Sequence, residues 1–100
     1  MTLDELTQFF TMIAPRASAI NAVLKFDFGA DGVILVDATQ SPAAVSNDDG
    51  PADTTVAVSL ADFSAILGKK LPGDLAFAMG KLRVSGDLIT GVRITELLNR

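Results

Sequence analysis

Residues 54–88 read TTVAVSLADFSAILGKKLPGDLAFAMGKLRVSGDL, and the order of their structural signals decides the fold. The β-branched run Thr54–Val58 is strand-like, with Val56 and Val58 on one face. Ser59 ends it and caps a helix, with Asp62 at the third position of a capping box. Leu60, Phe63, Ile66 and Leu67 make that helix's apolar stripe, and Gly68 supplies its C-cap. PGDLAFAMG reads as a second short helix ending at Gly80, followed by an alternating strand over residues 81–85 and by Gly86. Asp87 then opens a final helix whose apolar surface is Leu88, Val92, Ile94, Leu97 and Leu98. Two strands joined by helices are expected to lie parallel, through a right-handed crossover.

Upstream, Thr2 and Glu5 form a capping box, and Leu3, Leu6, Phe9, Phe10 and Ile13 recur at helical spacing. A helix is expected over 2–13. Pro15 limits it, because the residue before a proline avoids helical angles, and 15–21 is open to one further helical turn. VLKFDFGADGVILVDA, residues 23–38, reads as a hairpin. Leu24, Phe26 and Phe28 alternate with Val23, Lys25 and Asp27, GADG supplies the turn, and Val33–Val36 suits a more buried strand. Residues 39–53 are rich in Ser, Pro, Asn, Asp and Gly and read as a solvated loop, with one short edge strand near Ala44–Ser46. The sheet is therefore mixed, with helices mainly on one face.

The 100 residues suit one core and one domain, 1–100. No apolar run reaches the roughly 18 residues of a membrane span. The acidic start is no signal peptide and Leu98-Asn99-Arg100 is no peroxisomal address, so the cytoplasm is the expected location. The net charge of −4 argues against nucleic acid as a partner. The charge is polarised: residues 1–62 carry nine acids and two bases, residues 63–100 six bases and three acids. That distribution is either a solvated surface or a basic face for an anionic headgroup, an acidic membrane or an acidic partner.

The chain lacks His, Cys, Tyr and Trp. The usual general base near neutral pH, the thiol nucleophile and the nitrogen and sulfur metal ligands are all missing. The residues predict no catalytic site, no cofactor and no metal site. NDDG, residues 47–50, lacks the spacing and terminal Glu of a calcium loop. GKK, residues 68–70, follows a helix where a phosphate-binding loop follows a strand, so it reads as a C-cap with basic residues near the last carbonyls. Ser59, Ser64 and Ser85 have no base partner that would activate them.

The 54–88 pattern resembles the sterol carrier protein-2 family. The residues that carry the likeness are Thr54–Val58, Ser59, Asp62, Phe63, Gly68, Lys69, Phe77, Gly80, Lys81, Leu82, Val84, Gly86 and Asp87, with the hairpin's Phe26, Phe28 and glycines. The likeness covers most of 23–98. It implies an α/β (α+β) fold, a five-stranded mixed sheet of order 3-2-1-4-5 with helices over one face and an apolar tunnel between the layers. It further implies a non-enzymatic carrier of long-chain fatty acids, acyl-CoA, sterols or similar lipids. The short chain, the polar loop 39–53 and the absent peroxisomal address suggest a stand-alone bacterial-type member.

On that basis the cavity candidates are Phe9, Phe10, Ile13, Phe26, Phe28, Val56, Val58, Phe63, Phe77, Met79, Leu82, Val84 and Leu88. Each phenylalanine is equally readable as plain core, and Met79 as a gap-filler. Lys69, Lys70 and Lys81 are the candidate headgroup contacts. The rival reading is an accessory or scaffold protein that meets a lipid-pathway enzyme, such as one of quinone assembly.

Overall fold

A computed structural model describes the backbone of residues 1–98 and the side chains of residues 1–94. Leu97 and Leu98 of the expected final apolar surface lie outside the described side chains. The elements are α1 (Leu3–Ala17), β1 (Val23–Asp27), β2 (Val33–Asp37), β3 (Ala44–Ser46), β4 (Thr54–Val58), α2 (Leu60–Leu67), α3 (Gly73–Ala78), β5 (Leu82–Gly86) and α4 (Leu88–Leu98). The strands form one mixed sheet in the order β3-β2-β1-β4-β5.

The period-two pattern sets the two faces of this sheet. Ile34, Phe26, Val56 and Val84 are register partners across four strands and make one row on the inner face. The first three are buried. Lys25, Thr55 and Ser85 make the matching row on the outer face. Helices cover the inner face, where burying a side chain such as Phe26 or Ile34 stabilises the fold by about 1.5–3 kcal/mol.

α1 starts as expected: the Thr2 hydroxyl accepts from Glu5 N–H and the Glu5 carboxylate accepts from Thr2 N–H. It does not stop before Pro15 but runs to Ala17, and a 3-10 turn over Ser18–Ile20 follows. Proline leaves the carbonyl four residues back without its donor. That carbonyl belongs to Thr11, an exposed residue where the lost bond costs little, while Ala14 and Ala17 are buried against the sheet.

The expected parallel pairing of the strands around 54–59 and 81–85 is corrected. β5 lies antiparallel to β4, with Val58 opposite Leu82, and the parallel pair is β1 with β4. Since Val58 faces Leu82, the α2–α3 excursion leaves and re-enters the sheet at the same end. A crossover with one helix would have returned the chain to the opposite end.

The loop of residues 47–53 is also pinned more than its composition predicts. It crosses the sheet's outer face, where Asp49 pairs with Lys25 at 2.8 Å and Gly50 packs beside Leu35. Asn47 Nδ2 donates to Val33 O at 3.0 Å and to Thr7 Oγ1 at 3.1 Å. The loop ends at Asp53, which exchanges two hydrogen bonds with Val23, each of 2.8 Å.

Candidate functional site: an apolar cavity between sheet and helices

Five of the six phenylalanines form one cluster. Phe10 packs on Phe26 at 4.5 Å between ring centroids, and Phe63 lies 5.5 Å from Phe26, 5.6 Å from Phe28 and 6.0 Å from Phe10. Phe9 meets Phe10 edge-on at 5.5 Å. Phe26 and Phe63 have the core behind them and a cavity of about 640 Å³ in front. Phe77, the sixth, stands on the far side of that cavity.

Local structure explains how the cavity is walled. The inner sheet face supplies Phe26, Val56, Leu82 and Val84 as floor. α2 presents Phe63 and Ile66, three residues apart and so on one face. α3 turns Gly73, Asp74 and Phe77 toward it while Ala76 is buried beneath the helix. α4 contributes Leu88, Gly91 and Val92, the i, i+3, i+4 face, with Ile94 below. The mouth opens between α3 and α4, where Phe77, Leu88 and Val92 are 60%, 68% and 61% exposed. The cavity is an open cleft on that side.

α4 is held in place by Asp87, the residue that precedes it. The Asp87 carboxylate accepts from Ile89 N–H at 3.0 Å and from the Thr90 hydroxyl at 2.9 Å. The Thr90 hydroxyl above all, then the Ile89 and Thr90 amides and nearby Arg93, hold Asp87 below the usual carboxylate range. Asp87 N–H donates to Asp53 O at 3.0 Å, and its carbonyl accepts from the fully buried Thr54 hydroxyl at 2.8 Å. The start of β4 thereby fixes one wall of the cavity.

Seven of the sequence candidates meet around this one space: Phe26, Val56, Phe63, Phe77, Leu82, Val84 and Leu88. The others do not. Phe10, Ile13, Phe28 and Val58 are buried in the core behind Phe26 and Phe63, so they are packing and not cavity wall. Phe9 instead lines a separate surface groove of about 590 Å³ between α1 and α2. Met79 is 55% exposed, beyond the end of α3, and lines neither space. The lysines are likewise displaced from their expected place. Lys70 borders the second groove, and Lys69 and Lys81 border neither. The lining residues that sequence reasoning missed are Ile66, Pro72, Gly73, Asp74, Gly91, Val92 and Ile94. Helical spacing from Phe63, Phe77 and Leu88 was the signal that would have found most of them.

The family model for the SCP-2 sterol transfer family matches residues 5–99. The chain belongs to the SCP-2 sterol transfer family. Solved structures agree with this SCP-2 assignment. The apo form of sterol carrier protein 2 from Yarrowia lipolytica is 21% identical, with a TM-score of 0.70 over 91% of this chain and 77% of that one. Palmitated SCP2L2 from Aedes aegypti is 28% identical, with a TM-score of 0.67 over 100% of this chain and 96% of that one. The UbiJ-SCP2 ubiquinone synthesis protein is 16% identical, with a TM-score of 0.70 over 96% and 91%. A search of curated protein sequences finds no match. No helix among the described residues of this SCP-2 chain is long and apolar enough to cross a membrane.

Proposed function

We propose that this chain is a non-enzymatic lipid-binding and transfer domain of the cytoplasm, and that it holds the apolar tail of a long-chain lipid in the cavity between sheet, α2, α3 and α4. The observation that carries this reading is the chemistry of the lining. Of the 14 described lining residues only Asp74 is charged, and the volume of about 640 Å³ falls within the roughly 300–1,000 Å³ of small-molecule sites. An acyl chain, a sterol or a similar tail needs shape and dryness and few hydrogen bonds. Membership of a sterol transfer family supports the reading, as does the likeness to a palmitated relative. The tail would enter between Phe77, Leu88 and Val92 and lie against Phe26, Phe63 and Val84. The exposed Lys69, Lys70 and Lys81 lie off the lining and would meet an acidic membrane surface or a pathway enzyme, not the bound headgroup.

The test is a thermal scan of delipidated protein with long-chain fatty acids, acyl-CoA and sterols, beside native mass spectrometry of protein as purified. A ligand at about 100 times its Kd adds near 2.7 kcal/mol, which for a domain of this size raises the midpoint by about 10 °C or more. Phe77→Asp is the companion variant. Its side chain is already 60% exposed, so the fold tolerates the change while the mouth becomes charged. The variant is expected to melt like the parent without lipid and to lose the lipid-induced rise. If no lipid shifts the midpoint and none co-purifies, the carrier reading is wrong. The likeness to a ubiquinone synthesis protein, with the exposed apolar side chains Leu88, Ile89 and Val92, then favours the accessory or scaffold reading. A stable partner enzyme in co-purification would mark that case.

A further inference from the structure

Among the described residues, the cavity is lined by a single charged group and no cation. Asp74 stands in the first turn of α3, and Gly73, Asp74 and Phe77 together form the helix flank that lines the space. Asp74 and Phe77 are three residues apart, so the carboxylate shares the side of the helix that carries the exposed mouth residue Phe77. One carboxylate oxygen accepts from Leu75 N–H at 3.0 Å, and the other makes no hydrogen bond to the described residues. None of the described lysines or arginines is among the residues that line the cavity. A lipid whose tail occupies the cleft therefore places its polar end beside a negative charge with no compensating positive one among the described residues.

We infer that Asp74 sets the headgroup selectivity of this cavity, favouring long-chain lipids that end in an uncharged hydroxyl over long-chain carboxylates. The inference rests on the lipid-carrier reading above and narrows its ligand class. A hydroxyl donates a hydrogen bond to a carboxylate, and a bond to a charged acceptor is stronger than a neutral one. A second carboxylate at the same mouth is repelled. Asp74 is exposed, and two like charges a few ångströms apart at the protein surface interact strongly enough to change affinity by about tenfold, and less at high salt.

The experiment compares hexadecanol with palmitate, equal in chain length, at a pH where the acid is ionised. Binding to delipidated protein is read by native mass spectrometry and by displacement of a fluorescent lipid probe. The parent is expected to prefer hexadecanol by about tenfold. Asp74→Asn keeps the side-chain oxygen that caps Leu75 N–H and removes the charge, so it is expected to bring palmitate to within about twofold of hexadecanol, mainly by improving palmitate. Lys81→Glu changes net charge away from the lining and is expected to leave the ratio unchanged. Equal binding of the two lipids by the parent overturns the inference and leaves the carrier reading standing. So does an unchanged ratio in Asp74→Asn, or a ratio that Lys81→Glu moves as much. If neither lipid binds any of the three proteins, both readings fall together.

Discussion

Gly86 closes β5 with φ +91°, and a Cβ built there would lie 2.2 Å from Asp53 O and 3.2 Å from Thr54 Cα. Gly86→Ala therefore acts in two ways. An L-residue at such a φ costs about 1–2 kcal/mol in backbone conformation. The contact adds more, because the end of β5 must shift by about an ångström to reach ordinary van der Waals separation. That shift stretches the 3.0 Å bond from Asp87 N–H to Asp53 O and the 2.8 Å bond from the Thr54 hydroxyl to Asp87 O. Thr54 is fully buried, so leaving its hydroxyl unpaired costs about 1–3 kcal/mol. The expected total is about 3–5 kcal/mol, a large part of the roughly 5–15 kcal/mol that holds a domain folded. Urea and thermal unfolding would read it as a midpoint about 15–25 °C lower. Gly80→Ala is the internal reference: φ is +75° there, but nothing lies within 4 Å of the added Cβ. It is expected to show the backbone cost alone, about 1–2 kcal/mol. A Gly86→Ala loss no greater than that of Gly80→Ala would show that the Asp53 contact does not constrain the strand, and the reasoning would fail.

Thr54→Val keeps the shape and removes the buried donor to Asp87 O, and is expected to lower stability by about 1–2 kcal/mol in urea unfolding. Phe63→Ala removes the ring that joins Phe10, Phe26 and Phe28, with an expected loss of about 3–5 kcal/mol and a larger cavity; a loss under about 1 kcal/mol would contradict the wall role given to Phe63. Glu5, Asp37 and Asp87 are all held below their ordinary values, by hydrogen bonds from Thr2, Thr39 and Thr90 respectively. Depressed carboxylates add stability above their unfolded values, near pH 4, and lose it as pH falls through the folded ones. The melting temperature is therefore expected to be level above about pH 5 and to fall below about pH 4. Asp87→Asn should make that fall shallower.

The parts of the fold legible from sequence are those governed by local chemistry. Thr2 and Ser59 cap helices as their spacing predicts, and the 23–38 stretch is a hairpin with Leu24 and Phe26 inward. The sheet order came only with the family likeness. The direction of β5 was not legible, because strand composition carries no direction and the α2–α3 connection can close in either sense. The length of α1 was not legible, because Pro15 marks a helix end only where the lost hydrogen bond is costly, and Thr11, whose carbonyl loses its donor, is exposed. The site was half legible. Phe10 and Phe28 are chemically indistinguishable from Phe26 and Phe63, and only the packing order decides which rings face the cavity and which stand behind it. Asp74 went unnoticed because an acid in the first turn of a helix has an ordinary explanation as a dipole partner.

Asp53 binds β1 through both of its backbone and side-chain bonds to Val23, and it binds the start of α4 through Asp87. A junction of that kind divides the molecule into a part that closes early and a part that closes late. The hairpin β1–β2 joins residues close in sequence, whereas the Val23–Asp53 and Thr54–Asp87 links span about thirty residues each and carry a larger loop-closure cost. α4 is therefore expected to open as a unit of its own, hinged at Asp87. In such an opening the cleft would lose a wall while the five strands stay paired. In native-state hydrogen exchange this would appear as α4 amides exchanging through a partial opening below the global free energy, with the β1, β2 and β4 amides exchanging only on full unfolding. A bound lipid that touches Leu88, Gly91 and Val92 would slow the first class selectively.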